Sequence, residues 1–180
     1  LADIPHSFAE VRFKDSVSVA IPRTTSERRN YIPSEFLESD TVVSDNGLVI
    51  YDADPVIFGI VSSMMHMTWV KAVAGALKTD IRYSASLCYN TFPIPHTTSE
   101  KKLEIANLSM EVLGIRECYS DRTLAKLYDP DLMPEDLLLA HQNLDRAIDQ
   151  CYEKKGFQGN EQRLEVLFRL YEKMTGGQNA

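Results

Sequence analysis

Residues 58–95, FGIVSSMMHMTWVKAVAGALKTDIRYSASLCYNTFPIP, limit the architecture of this chain more than any other stretch. Asp54-Pro55 just before it signals a helix start, with an acid at the cap and a proline in the first turn. Ile57, Ile60, Val61, Met64, Thr68, Lys71 or Ala72, and Gly75 then recur at helical spacing, while Trp69, Val70, Val73 and Leu77 continue a neighbouring apolar stripe. The spacing predicts a helix over about 55–77, with Ser62-Ser63 or His66 as the places where it would break. Lys78, Asp80 and Arg82 form a charged turn after it. Residues 81–84 and 87–92 read as extended runs, stopped by Pro93 and Pro95, which lack the N–H that a sheet ladder needs. An apolar helix followed by a return in extended chain is a helix packed on a sheet, and the rest must fit that frame.

The sheet is supplied upstream. VSVAI (17–21), TVVS (41–44) and LVIY (48–51) are short β-branched runs, and Asp45-Asn46-Gly47 between the last two is a hairpin-type turn. Directly after VSVAI, residues 22–33 (PRTTSERRNYIP) form a polar loop held extended between two prolines. Its arginines carry planar donor forks that grip phosphate oxygens or O6 and N7 of a guanine. On residue chemistry alone the commoner outcome is a solvated loop in which Arg28 and Arg29 pair with Glu27, Glu35 or Asp40. The net charge of −7 excludes a surface that is basic throughout. Locally the balance reverses: residues 12–29 hold Arg12, Lys14, Arg23, Arg28 and Arg29 against Asp15 and Glu27, whereas residues 96–180 carry more acid than base.

Beyond the polar run 96–99 the periodicity is helical throughout. Ser99-Glu100-Lys101-Lys102 opens a helix with Leu103, Ala106, Met110 and Leu113 as its stripe and Gly114 as its stop. Residues 120–128 hold a short helix. Pro134-Glu135-Asp136 starts a longer one whose stripe is Leu137, His141, Leu144, Ile148 and Cys151 or Tyr152, up to Gly156. Asn160 caps a last helix, with Leu164, Leu167, Phe168, Tyr171 and Met174 inward before Gly176-Gly177. His141, at a stripe position, reads as a buried structural histidine. The fold class is therefore α+β, with residues 1–95 as a small β-rich domain around a central helix and residues 96–180 as a helical bundle. Cys88, Cys118 and Cys151, odd in number and widely spaced, give neither a disulfide framework nor a zinc set, so a cytoplasmic home with reduced thiols is expected. No apolar run approaches membrane-spanning length, and the chain opens on Leu in what reads as mid-domain sequence, which gives the expectation of a piece of a longer protein.

MHMTWVKAVAGAL, RYS and YNTFPIP in the first stretch, AIPRTTSERRNYIP before it, and LAKLYDPDLMPEDLLLAHQNLDRAIDQCY with EVLFRLYEKM after it occur in a fixed order. Together they resemble the target-recognition and carboxy-terminal helical region of the large fused DNA methyltransferases of type IIG (MmeI-like) restriction-modification systems. The matches run from Val19 to Met174. The resemblance implies double-stranded DNA as one partner and the methyltransferase domain of the same chain as the other. In it, side chains placed in the major groove fix which adenine is flipped into an upstream active site. As DNA contacts it implies Arg23, Arg28, Arg29, His66, Lys71, Lys78, Arg82 and Asn90, with Arg82 foremost. The chain departs from the pattern at Gly75-Ala76-Leu77, where relatives commonly read Gly-Arg-Leu, and at Ile81 and Ile94, where they carry an aromatic and a tryptophan.

Methyl transfer itself needs residues that this sequence does not contain. There is no F-x-G-x-G loop to let backbone approach S-adenosylmethionine and no D/N-P-P-Y/F/W segment to hold a flipped adenine, since Asp129-Pro130-Asp131 lacks the second proline and the aromatic. These residues are expected to be no enzyme by themselves and to bind no cofactor or metal, S-adenosylmethionine belonging to the parent. The alternative from another class is a helical protein-interaction module of a modification complex that does not read DNA.

Overall fold

The computed structural model describes residues 13–176. Arg12 and Gly177 therefore lie outside the described residues. The chain runs β1 (Ser18–Pro22), β2 (Thr24–Ser26), β3 (Glu35–Leu37), β4 (Gly47–Tyr51), α1 (Pro55–Val61), α2 (Met64–Val73), β5 (Gly75–Leu77), β6 (Asp80–Arg82), a π-helical turn (Ala85–Tyr89), α3 (Ser99–Glu117), α4 (Leu124–Leu127), α5 (Glu135–Tyr152) and α6 (Asn160–Gly176). This is an α+β fold. Its strands form two small antiparallel sheets, β3-β1-β4 and β2-β6-β5.

Arg23, between β1 and β2, joins the sheets. Its N–H donates to Asn46 O at 2.9 Å on the side of the first sheet, and its carbonyl accepts from Tyr83 N at 2.8 Å on the side of the second. The expected hairpin of residues 41–44 with 48–51 does not form. Gly47 N closes a turn on Ser44 O at 3.0 Å, but residues 41–44 are irregular and β4 pairs with β1, so the Asn-Gly turn steers a loop into the strand. Val19 and Ile21 face the core from β1, and a loop strand of Val42-Val43 would add nothing to that face.

The predicted long helix is two helices, bent by 52° at Ser62-Ser63. Ser63 is the reason: its hydroxyl accepts from His66 N to cap α2 and donates to Ile60 O at 2.7 Å, ending α1. Helix α2 stops at Val73, not Leu77. Ala74 turns extended, and Gly75–Leu77 becomes a strand because its ladder to Asp80–Arg82 competes with helical propensity and wins. The expected strand at 87–92 is likewise replaced by the π-turn, which Ser84 caps through its hydroxyl on Leu87 N and which closes with Asn90 N on Ala85 O at 2.8 Å. Among the described residues no single helix is long and apolar enough to cross a membrane.

Helix α1 is the centre of the core. It lies against α3, which in turn packs on α5, while α2 lies against α6 with Trp69 between Phe168 and Tyr171. One buried cluster thus runs from Val19 through Phe58 and Trp69 to Ile148 and Leu167. Gly59 permits the closest approach, since a Cβ there would fall on Ser109 Oγ and within 3.1 Å of Ile105 Cγ2. Helix α3 differs from its expected form in both register and length. It continues through Gly114 to Glu117 and buries Ile105, Ser109, Val112 and Arg116, leaving Leu103 and Met110 more than half exposed. Apolar residues lie all round this helix, so periodicity alone does not choose a face, and the groove between α1 and α5 does. The stripe on α5 is buried as expected at Leu137, His141, Leu144 and Ile148.

Candidate nucleic-acid interface

The second sheet carries most of the basic residues singled out in the sequence. Its register places Thr24, Arg82 and Gly75 side by side on one face, and Thr25, Ile81 and Ala76 on the other. Thr25 and Ile81 are buried, so Arg82 points outward. Among the described residues its guanidinium makes no hydrogen bond or ion pair, and beside it Gly75 opens on space with no atom within 4 Å of a Cβ position.

On the α2 side of the same sheet, Glu27, Arg28, Lys71, Ala76, Lys78 and Asp80 line an open concavity of about 470 Å³. Lys71 stands in the last turn of α2. Lys78 occupies the two-residue turn between β5 and β6 with φ at +59°, a left-handed conformation that a lysine adopts only at a cost. Lys71 has its pKa lowered by partial burial, which Glu27 opposes. Arg28 makes an ion pair with Asp131 at 2.7 Å, with both side chains about two-thirds exposed. Such a pair is screened by salt and readily exchanged for another anion. Arg28, Lys71 and Lys78 are thereby brought together, while Arg82 stands on the opposite face of the same narrow hairpin.

The remaining candidates are elsewhere. Arg23 is exposed and its Nε donates to Asp45 O at 2.6 Å. Arg29 is turned toward the protein: it donates to Thr25 Oγ1 and to Ala125 O, both at 3.2 Å, and its Nε is buried without a partner. Neither Arg28 nor Arg29 pairs with Glu27, Glu35 or Asp40; Glu35 is held by Arg116 instead. Asn90 is exposed at the end of the π-turn, away from the concavity.

His66 is a correction. Expected at the DNA, it is 0% exposed, with Nε2 and the Tyr83 hydroxyl 2.9 Å apart and the Phe92 ring edge-on at 4.6 Å. Burial pushes its pKa down to about 3, so the ring is neutral and serves to fix Tyr83, the neighbour of Arg82. It faces inward against Tyr83, just after β6, and Phe92, just after the π-turn.

The loop that carries Arg28 is gripped by the helical half at His141 and at two residues the sequence did not single out, Asp145 and Arg116. Tyr31 stacks on His141 at 4.2 Å and donates its hydroxyl to Asp145 at 2.8 Å. Arg116 donates to Ser34 O at 2.9 Å and pairs with Glu35. The available signal was an acid within an apolar stripe, since Asp145 lies four residues after His141 and three before Ile148.

Comparison with known proteins gives this geometry its context. Residues 1–96 match the family described as MmeI, target recognition domain, and residues 97–178 the family described as MmeI, C-terminal domain. The chain belongs to the MmeI family. DNA methyltransferase A of Bacillus subtilis (strain 168) is 48% identical over 175 residues, covering 97% of this chain and 20% of that protein. The type IIL restriction-modification enzyme MmeI, solved in complex with DNA, superposes with a TM-score of 0.91 at 40% identity over 97% of this chain and 23% of the enzyme. The MmeI-family chain thus spans between a fifth and a quarter of the length of these relatives.

Proposed function

We propose that the chain is the sequence-reading part of a DNA adenine methyltransferase of a restriction-modification system, and that the β5–β6 hairpin is its main reading element. One observation carries this: in an acidic chain, Arg82 on β6, Lys78 at the turn of the β5–β6 hairpin, and Arg28 and Lys71 across the concavity beside it are gathered around one hairpin. The β5 edge and the Lys78 turn of this three-stranded sheet are free to approach a groove, and the exposed cations around them suit contacts with phosphates and base edges. Arg82, unpaired among the described residues, is suited to a bidentate contact with a guanine edge or a phosphate. The family membership and the DNA complex of a 40% identical relative support this reading.

Methylation belongs to other parts of the parent, which is proposed to act in the cytoplasm. The described residues do not fit S-adenosylmethionine. Their strand-to-helix connections, 52–54 and 83–84, contain no glycine, so a side chain stands at every position where the cofactor would need to approach the backbone closely. No step of the transfer is assigned to them. Their task is to place the duplex so that the target adenine reaches the methyltransferase domain. A second role is favoured by Leu103 and Met110, exposed on one face of α3, which suit contact with that domain.

Selection by the intact protein from a random duplex pool at low and moderate salt tests the reading. An enriched motif several base pairs long is expected, and it should fade in Arg82→Ala. Arg28→Ala and Lys78→Ala should each lower the slope of log affinity against log salt by about 1 without changing the motif. No enrichment by the intact protein, or enrichment indifferent to all three substitutions, contradicts the proposal.

A further inference from the structure

Two parts of the recognition half carry the basic residues: the loop after β2, with Arg28, and α2, with Lys71 and the hairpin that follows it. A single side chain from the helical half touches both. Asp145 on α5 accepts Met64 N at 2.7 Å through one carboxylate oxygen and the Tyr31 hydroxyl at 2.8 Å through the other. Met64 is the first residue of α2, and Tyr31 lies three residues after Arg28.

We infer that Asp145 is a positioning residue for DNA reading, holding the arginine loop and the start of α2 at one fixed separation. The inference rests on the proposed DNA-reading role of the hairpin. Asp145 touches no solvent-facing cation and no part of the basic surface, so it acts only through Tyr31 and α2. It is 7% exposed, and no arginine or lysine pairs with it among the described residues; Arg163 is taken up by Asp149 at 2.6 Å. A carboxylate with no direct ion pair in such a place is costly even with the Arg163 charge acting on it from beyond pairing distance, and an apolar side chain of similar volume would stabilise the fold at least as well. What the carboxylate supplies, and an apolar side chain does not, is two acceptor oxygens aimed at two donors from different elements. Burial, with a further push from Asp149, moves its pKa up to about 6, and the bonds from Met64 and Tyr31 resist that rise. Helix α2 is rigid from Met64 to Val73 and leads directly into β5, so a shift at its first residue is carried to Lys71 and Lys78. Tyr31 cannot replace the tie by stacking alone, because its ring can slide on His141 while the hydroxyl bond fixes its place.

The test uses the intact protein and a random-sequence duplex, with affinity measured as a function of salt. Asp145→Leu removes both acceptors at similar volume, and Tyr31→Phe removes the loop arm while keeping the ring on His141. Each should weaken binding about tenfold at moderate salt and lower the salt slope by about 1, because cations displaced from the backbone release fewer counterions. Ile105→Ala, a core change against α1 rather than the loop, serves as a control for lost stability and should leave the slope intact. Full slope and affinity in both Asp145→Leu and Tyr31→Phe overturn the inference, as does an equal loss of slope in Ile105→Ala. Arg82→Ala separates the two claims. If it binds as wild type does, the hairpin reading fails and the inference falls with it; if it weakens binding while the Asp145 and Tyr31 variants do not, only the inference fails. If Asp145→Leu does not fold, Tyr31→Phe decides by itself.

Discussion

Arg82 and His66 show how one position decides between surface chemistry and core. Arg82 stands on the outward face of the middle strand beside Gly75, and its guanidinium is ready for an anion; a lost base-edge contact of this kind costs about 1–3 kcal/mol of binding. His66, on α2, is neutral and closed in beside Tyr83, with its pKa near 3, and His141 is held down at about 3 by burial and by Arg116. For an imidazole whose folded pKa lies below the unfolded 6.5, stability is fully present above pH 6.5 and is lost as pH falls toward 3. Asp145 works in the opposite sense, since its carboxyl is raised to about 6 and its contribution is lost as pH rises from about 4 through 6. Two histidines displaced further than one carboxyl should prevail. The melting temperature is therefore expected to fall between pH 7 and pH 5, and less steeply in His66→Gln; a flat profile, or one unchanged by the substitution, would contradict this. Sequence alone could not orient His66, because helical spacing places it between a polar and an apolar face, whereas His141 sits squarely in a stripe whose face is unambiguous.

At the scale of elements, what was legible is what is strongly periodic. Helix α5 has one apolar stripe and acids in its first turn, and it forms as its pattern indicates. Helix α3, apolar all round, takes its register from the groove that α1 and α5 offer, and the end of α2 gives way to a strand because partners distant in sequence, Asp80–Arg82 and through them Thr24–Ser26, pair with it. The break at Ser62-Ser63 was among the places allowed by the sequence, and serine capping decides it. Two predictions belong here. Gly59→Ala should destabilise the fold by about 1–3 kcal/mol in denaturant unfolding, because its Cβ would strike Ser109 and the α1–α3 contact must open; an unchanged midpoint would mean that α1 is less tightly held. Ala76→Arg adds a cation to an exposed strand at the rim of the concavity, and should raise affinity with a salt slope steeper by about 1. Equal affinity and slope would remove β5 from the interface.

Over the whole molecule, the acidic helical half and the basic hairpin are parts of one packed body. Tyr31 on His141 and Asp145, Arg116 on Ser34, and Trp69 on Phe168 and Tyr171 each cross between the two halves of the sequence. Net charge does not report the local balance: both halves of the sequence are net acidic, while Arg28, Lys71, Lys78 and Arg82 stand exposed around one hairpin. The motif resemblance named the family, but not the surface, since the surface arises from strand pairings across more than fifty residues of sequence. The most direct test is amide hydrogen exchange of the intact protein with and without a random-sequence duplex at low salt. Protection is expected in residues 23–28 and 71–82, with α3 and α6 unchanged. Protection confined to α3–α6, with the hairpin exchanging as in the free protein, would contradict the claim that the β5–β6 hairpin meets DNA.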